Sequence, residues 1–179
     1  MVLIPDDAAA RSGRVRWAMA AVAVSVLVAD QVTKSLVAAG VIADGSSFGP
    51  VTVTVVRNHG AATGIAAGFP VLVTLAALAI SVFAAGLALR ASGRTAAICL
   101  AAVLGGALGN LSDRIFRSPG FGRGGVVDWI HLAFGGRGSM DVADLAIQFG
   151  VLGAIGAMLV AGRVRARRPA PSPEQPEPR

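Results

Sequence analysis

The stretch that decides the fold runs from Pro70 to Arg114 and reads PVLVTLAALAISVFAAGLALRASGRTAAICLAAVLGGALGNLSDR. It contains two uncharged, apolar runs, which extend from Pro70 to Leu89 and from Thr95 to Ser112. Each run has about the length that an α-helix needs to cross the hydrocarbon core of a bilayer. Only the short segment from Arg90 to Arg94 separates them, with an arginine at each end. The pattern therefore predicts a hairpin of two membrane-spanning helices.

Two further apolar stretches flank this hairpin. The first extends from Trp17 to Val37, and near one end it carries Asp30, Gln31 and Lys34. The second extends from Leu145 to Gly162 and has no charged residue. Both are close to the spanning length. The chain is therefore predicted to cross a membrane four times.

The composition supports this prediction and excludes other classes of protein. Of the 179 residues, 54% are hydrophobic and 15% are charged, whereas about 25% are charged in typical soluble domains. So apolar a chain is not expected to be disordered. The single cysteine, Cys99, excludes a disulfide scaffold and a cysteine-rich zinc module.

We predict an all-α membrane protein with four transmembrane helices and a small extracytoplasmic β-sheet and loop region. Residues 17–162 form the membrane domain, and residues 1–16 are a cytoplasmic N-terminal tail. Residues 163–179 are basic and proline-rich, which predicts a disordered cytoplasmic tail.

The basic residues orient the chain. If both termini lie inside, the inner segments carry ten basic and four acidic residues, and the outer segments carry six of each. The positive-inside rule then places both termini in the cytoplasm. Because topology accounts for the whole net charge of +6, we expect no nucleic-acid partner.

The N-terminus has some features of a cleaved signal peptide. Arginines between Arg11 and Arg16 precede an apolar run from Trp17 to Ala29, as in a secretory signal. Cleavage would leave an odd number of spans and would discard Asp30 and Lys34. We therefore expect the segment to be retained.

Two outer loops, roughly 38–69 and 113–141, connect the spans. The first contains the strict alternation Val51-Thr-Val-Thr-Val55, which predicts a strand with one apolar face. Because such a strand must pair its backbone near a bilayer, we expect a small sheet on the outer membrane surface. Glycines recur in the last two spans, where they predict close packing of the third helix against the fourth: Gly105, Gly106, Gly109, Gly150, Gly153 and Gly156.

Nearly all polar residues near the spans gather at their outer ends, where such groups are costly and tend to be functional. Asp30 and Lys34 have the i,i+4 spacing of an ion pair, which could be a local pair or part of an active-site scaffold. Asp141 suits a helix N-cap. His59 is expected to be a surface residue rather than a ligand. The candidate functional residues are Asp30, Lys34, Asn58, Asn110, Asp113, Arg114, Asp128, Asp141 and Asp144.

Aspartates at one membrane level suit acid–base chemistry. Two carboxylates that share a site cannot both ionise easily, so the pair retains one proton. Such a pair can activate a water molecule for peptide hydrolysis and then protonate the leaving amine. Spacing alone does not choose the two aspartates. The alternative is a small ion- or proton-coupled transporter, although the charges lie at one end of the spans and no inverted repeat is evident.

Five motifs resemble those of the lipoprotein signal peptidase (signal peptidase II) family. They are Asp30-Gln-Val-Thr-Lys34, Asn58-His-Gly-Ala-Ala62, Gly109-Asn-Leu-Ser-Asp-Arg114, Val126-Val-Asp-Trp129 and Asp141-Val-Ala-Asp144. Each motif alone is weak, but the five occur in the family's order across most of residues 17–162.

The resemblance implies four transmembrane helices, an extracytoplasmic sheet that cradles the substrate, and an aspartic endopeptidase without a metal or cofactor. It implies that Asp128 and Asp144 are the catalytic pair. It also implies supporting or substrate-binding roles for Asp30, Lys34, Asn58, Gly60, Asn110, Asp113, Arg114 and Asp141.

The implied substrate is a prolipoprotein that already carries diacylglycerol on its lipobox cysteine, and the bond broken is the one before that cysteine. The implied inhibitor is globomycin, a cyclic lipopeptide. The resemblance further implies a monomer among membrane lipids in the bacterial cytoplasmic membrane, with its active site near the outer face.

Two residues depart from the family pattern. Asp141 stands where asparagine is usual, which places a third carboxylate beside the implied pair. Thr63 stands where phenylalanine is usual, which alters the local packing or a lipid contact.

Because Asp128 has apolar neighbours and Asp144 lies at a helix N-terminus, we expect Asp128 to carry the shared proton.

Overall fold

The computed structural model describes residues 7–61, 65–134 and 138–166. Within these residues, four helices are long and apolar enough to cross a membrane, as predicted. In chain order, the elements are α1 (Asp7–Ala38), β1 (Ser47–Phe48), β2 (Val51–Asn58), α2 (Pro70–Arg90), α3 (Arg94–Phe116), β3 (Val126–Leu132), β4 (Ser139–Met140) and α4 (Val142–Ala166).

All four helices extend beyond their predicted apolar runs, and α1 and α4 do so most. Helix α1 begins at Asp7 rather than Trp17, and α4 continues to Ala166 rather than Gly162. Alanine and arginine are frequent in these extensions, and both residues favour helices although arginine lowers hydropathy. A search for apolar runs therefore places the start of α1 too late and the end of α4 too early. The rest of the two predicted tails lies outside the described residues.

Helix α3 is the central helix of the bundle, and it packs against α1, α2 and α4. Its buried positions are mostly small residues, such as Ala97, Ala101 and Gly105, which allow neighbouring backbones to approach closely. The other helices expose large apolar side chains; Phe83 on α2 is 67% exposed and Leu152 on α4 is 65% exposed. Such surfaces suit contact with lipid tails.

The helical glycines serve two interfaces rather than the single one predicted. A Cβ atom at Gly106 would lie 2.5 Å from the Ala143 carbonyl oxygen, so this residue packs against α4. Gly150 and Gly153 of α4 similarly approach Cys99 on α3. The prediction is wrong for three others, because Gly105 and Gly109 face α1 and Gly156 has open space around it. Successive residues on a helix point about 100° apart, so one glycine stripe reaches two neighbours.

The sheet is antiparallel, with strand order β1-β2-β3-β4. The predicted strand is present and extends to Asn58. Strand β3 pairs with β2 so that Asn58 lies opposite Val126 and Val56 opposite Asp128, with a register irregularity between Val53 and Val56. Because β3 also contacts α1 and α3, the sheet holds Asp128 close to the ends of these helices.

The contact at Gly106 allows a test of this packing. We expect Gly106→Ala to lower the free energy of unfolding by about 1–3 kcal/mol, because the added methyl group overpacks the contact with α4. Gly156→Ala is the matched control, since nothing lies within 4 Å of its Cβ position. Thermal unfolding in detergent micelles should show a lower midpoint for the first variant only. Equal midpoints would contradict this packing.

Candidate active site

The site is organised around a buried lysine, Lys34 on α1. Its Nζ atom lies 2.8 Å from Asp30 Oδ2, 3.0 Å from Asp113 Oδ2 and 2.7 Å from Asp141 Oδ2. It also donates a hydrogen bond of 2.9 Å to Asn110 Oδ1. Lys34 and the three aspartates are completely buried. A buried charge is stable only when it is paired, so these residues form one electrostatic cluster, called here the lysine cluster.

The three carboxylates of the lysine cluster also hold the backbone beside Asp128 and Asp144. Each accepts a hydrogen bond from a backbone N–H group at or next to one of these two aspartates. The bonds run from Ala143 N to Asp30 Oδ1 (3.0 Å), from Val127 N to Asp113 Oδ2 (3.2 Å) and from Asp144 N to Asp141 Oδ1 (2.7 Å). A single buried network therefore fixes the backbone at both positions.

Asn110 connects the lysine cluster directly to the side chain of Asp144. Its Oδ1 atom accepts the hydrogen bond from Lys34, and its Nδ2 group donates to Asp144 Oδ1 at 3.1 Å. The lysine thus fixes which way the amide points, since an ammonium group can only donate. The amide in turn orients the carboxylate of Asp144.

A second chain of hydrogen bonds orients Asp128. Arg114 Nη2 donates to the Gly60 carbonyl oxygen at 2.8 Å, and Gly60 N donates to Asn58 Oδ1 at 3.0 Å. Asn58 Nδ2 then donates to Asp128 Oδ2 at 3.1 Å. Asp128 and Asp144 therefore each accept a hydrogen bond from one side-chain amide, and the two amides come from different parts of the chain.

Asp128 and Asp144 come together from β3 and from the first turn of α4. These two residues and Asp141 each present one carboxylate oxygen, and the three oxygens lie within 4.8 Å of one another. Asp128 is 5% exposed. Burial raises its pKa to about 6, and the charge of Asp144 also raises it, whereas the hydrogen bond from Asn58 opposes this shift. Asp128 is thus a carboxyl group that can retain a proton near neutral pH.

A cavity of about 740 Å³ opens onto the two aspartates. Asn58, Asn110 and Arg114 form its polar wall, and apolar residues of α2 and α4, such as Ile80 and Ile147, form another part. The two aspartates therefore face a space with one polar side and one apolar side. A second cavity of about 800 Å³ lies at the far end of the helices, but its lining contains no carboxylate.

The structure brings together every site residue that the sequence analysis named. Asp30 and Lys34 form the expected ion pair, and they also belong to the wider network. Asp141 caps α4, as its position suggested. His59 is half-buried, and its ring packs beside Gly125. Thr63 lies outside the described residues.

Sequence reasoning missed three residues of the network. Gln31 donates hydrogen bonds to Asp113 Oδ1 at 3.0 Å and to the Gly109 carbonyl oxygen at 3.1 Å. Arg117 pairs with Asp113. A Cβ atom at Gly109 would lie 2.5 Å from Asp30 Oδ2, so only glycine fits there. The polar amide of Gln31 within an apolar run was the one available signal.

The chain is similar to signal peptidases in sequence. Residues 22–160 match the family described as Signal peptidase (SPase) II. A lipoprotein signal peptidase of Streptomyces griseus is 38% identical over 155 residues, which cover 80% of this chain and 76% of that protein. One from Mycobacterium tuberculosis is 40% identical over 135 residues, covering 73% and 65%. One from Streptomyces coelicolor is 45% identical, but the match spans only 46% of its length.

The fold is similar to that of solved membrane enzymes. A bacterial membrane enzyme structure at 2.3 Å resolution superposes with a TM-score of 0.70 and 25% identity, over 86% of this chain and 94% of that one. A second, at 1.9 Å resolution, gives a TM-score of 0.63 and 27% identity, over 79% and 92%.

The lysine cluster predicts a large effect of a single substitution. Lys34→Met would leave three carboxylates buried without their shared cation, so we expect a loss of about 3–5 kcal/mol in the free energy of unfolding. Arg123→Gln, at an exposed arginine, is the control for removing a positive charge. The midpoint of thermal unfolding should be lower than that of the wild type for Lys34→Met and unchanged for Arg123→Gln. A Lys34→Met variant as stable as the wild type would show that the cluster contributes little.

Proposed function

Because the chain belongs to the signal peptidase II family, we propose that it is an intramembrane aspartic endopeptidase that removes signal peptides from diacylglyceryl-modified prolipoproteins. It cleaves the peptide bond before the lipidated cysteine. One observation carries the aspartic mechanism: Asp128 and Asp144 lie together at the wall of a cavity that has both polar and apolar surfaces.

Ion pairing separates these two aspartates from the other buried acids. Asp30, Asp113 and Asp141 all contact Lys34, so their carboxylates are committed to the network. Among the described residues, neither Asp128 nor Asp144 forms an ion pair; each accepts a hydrogen bond from a neutral amide. Their carboxyl groups are therefore the ones free to exchange protons with a substrate.

The proposed reaction begins with Asp128 protonated and Asp144 ionised. Asp144 takes a proton from a water molecule as the water oxygen attacks the scissile carbonyl carbon, and Asp128 gives its proton to the carbonyl oxygen. A tetrahedral diol results, with no covalent bond to the enzyme. Asp144 then protonates the leaving nitrogen, the C–N bond breaks, and Asp128 recovers a proton from a diol hydroxyl group. The pair ends as it began.

Arg114 supports substrate binding in this proposal. The residue is 8% exposed and lines the cavity. Its Nε and Nη1 groups have no hydrogen-bond partner among the described residues. Buried donors without partners are costly, and the backbone carbonyl groups of a bound peptide would satisfy them.

The apolar side of the cavity suits the lipid part of the substrate. Residues such as Ile80 and Ile147 line the cavity from helices that otherwise face lipid. We infer that the diacylglyceryl chains stay in the bilayer while the lipobox peptide enters the cavity. The same family membership supports an outer-face site in the bacterial cytoplasmic membrane with both termini inside, a monomer, and inhibition by globomycin.

Cleavage by the aspartate pair is directly testable. Asp128→Asn and Asp144→Asn should each lower cleavage of a diacylated prolipoprotein peptide at least 100-fold, because an amide cannot exchange the required proton. Asp44→Asn, at an exposed aspartate, should cleave like the wild type. Mass spectrometry identifies the products and the bond. Absence of wild-type cleavage, or normal cleavage by both active-site variants, would rule out the protease, and ion flux without cleavage would favour a transporter.

The hydrogen bond from Asn58 to Asp128 predicts a shift in the pH dependence of cleavage when Asn58 is replaced. This bond favours the charged form of Asp128, so Asn58→Ala should raise the pKa of Asp128 further. The pair loses its shared proton as pH rises through that pKa, so the alkaline limb of kcat/KM should move to higher pH, by about one unit. The maximal rate should fall as well.

Ser47→Ala is the control for this measurement, because it removes a hydroxyl group on the exposed strand β1. It should leave both limbs of the pH profile unchanged. An alkaline limb that stays in place, or moves to lower pH, in Asn58→Ala would contradict the assigned role of Asn58.

A further inference from the structure

Asp141 has a position that the proposed reaction does not use. Its Oδ1 atom accepts the N–H group of Asp144 at 2.7 Å, and its Oδ2 atom lies 2.7 Å from Lys34 Nζ. The residue is completely buried. It therefore belongs to the lysine cluster, and at the same time one of its oxygens lies within 4.8 Å of one carboxylate oxygen each of Asp128 and Asp144.

The lysine cluster carries more negative charge than its lysine can balance. Lys34 has three N–H groups, but four oxygen atoms lie within 3.0 Å of its nitrogen, and three of them belong to aspartates. Asp113 has a further cation in Arg117, and Asp30 receives an additional bond from Gln31. Among the residues that the structure describes, Asp141 has only the lysine and its capping N–H group.

Charged groups surround Asp141 on every packed element. His131, a second titratable residue of β3, lies on the strand face opposite Asp128, because successive side chains of a strand alternate between its two faces. The groups near Asp141 are Asp30 and Lys34 on α1, Asp113 and Arg114 on α3, Asp128 on β3 and Asp144 on α4. Burial raises the pKa of Asp141 to about 7, and Lys34 opposes this shift. The contact with Lys34 thus favours the charged form of Asp141.

A negative charge so close to two carboxyl groups makes their ionisation harder. The proposed reaction requires one proton on the Asp128–Asp144 pair, and this proton is lost at high pH. We propose that Asp141 is a positioning residue of the cleavage reaction, whose carboxylate, held by Lys34, keeps the shared proton on the catalytic pair and extends cleavage to higher pH. This inference rests on the proposed function.

Capping alone does not explain a carboxylate at this position. Asparagine and serine cap helices about as well as aspartate. An asparagine has one side-chain oxygen, so it could accept either the N–H group of Asp144 or a hydrogen bond from Lys34, but not both in the observed arrangement. The distinguishing property of Asp141 is its charge next to the pair.

The test compares the pH dependence of kcat/KM in purified, full-length protein with a diacylated prolipoprotein peptide. Asp141→Asn and Asp141→Ser both remove the charge and retain a capping group. We expect both variants to move the alkaline limb to lower pH by about one unit. Asp44→Asn, the control at an exposed acid between α1 and β1, should leave the limb in place. This shift is opposite in sign to that expected for Asn58→Ala.

The outcomes separate this inference from the proposed function. If the wild type cleaves but the limb stays in place in both variants, Asp141 is only structural and the inference is wrong, whether or not the rate falls uniformly. If one variant unfolds in a thermal scan, the other decides. If the wild type does not cleave at any pH, the proposed function itself fails, and this inference fails with it.

Discussion

The buried ammonium group of Lys34 is the interaction on which the rest of the structure depends. Three carboxylates, from α1, α3 and the N-cap of α4, meet at this one group. Removing them from water would be prohibitive without the lysine. The lysine therefore specifies how the ends of α1, α3 and α4 come together, and the same three carboxylates accept backbone hydrogen bonds near the start of β3 and in the first turn of α4.

The buried aspartates fall into two groups that make different contacts. Asp30, Asp113 and Asp141 are held by Lys34, and they hold the backbone at the neighbouring positions. Within the described part of the chain, Asp128 and Asp144 form no ion pair, and they accept hydrogen bonds from the side-chain amides of Asn58 and Asn110. The lysine cluster thus supports a pair of aspartates whose protonation can change. Asp141 is held by Lys34 and also lies close to the pair, so its charge connects the lysine cluster to the chemistry.

Much of the fold could be predicted from the sequence, because uncharged runs such as Pro70 to Leu89 have few alternatives to a spanning helix. The site was harder to predict. The spacing of Asp30 and Lys34 predicts their ion pair, but no local pattern indicates that Asp113 and Asp141 join it from other helices. Strand β3 was not predicted, since its short apolar segment has no clear alternation. The faces of Gly105 and Gly109 depend on how α1 packs, which the sequence of α3 does not contain.

The proposed mechanism requires an aspartate pair to direct water onto the bond before a lipidated cysteine, without a covalent intermediate. Cleavage of a diacylated prolipoprotein in the presence of hydroxylamine tests it most directly, with mass spectrometry of the released signal peptide. We expect a peptide that ends in a free carboxylate at the residue before the lipidated cysteine. A signal peptide that ends in a hydroxamate would reveal an acyl-enzyme and contradict the account.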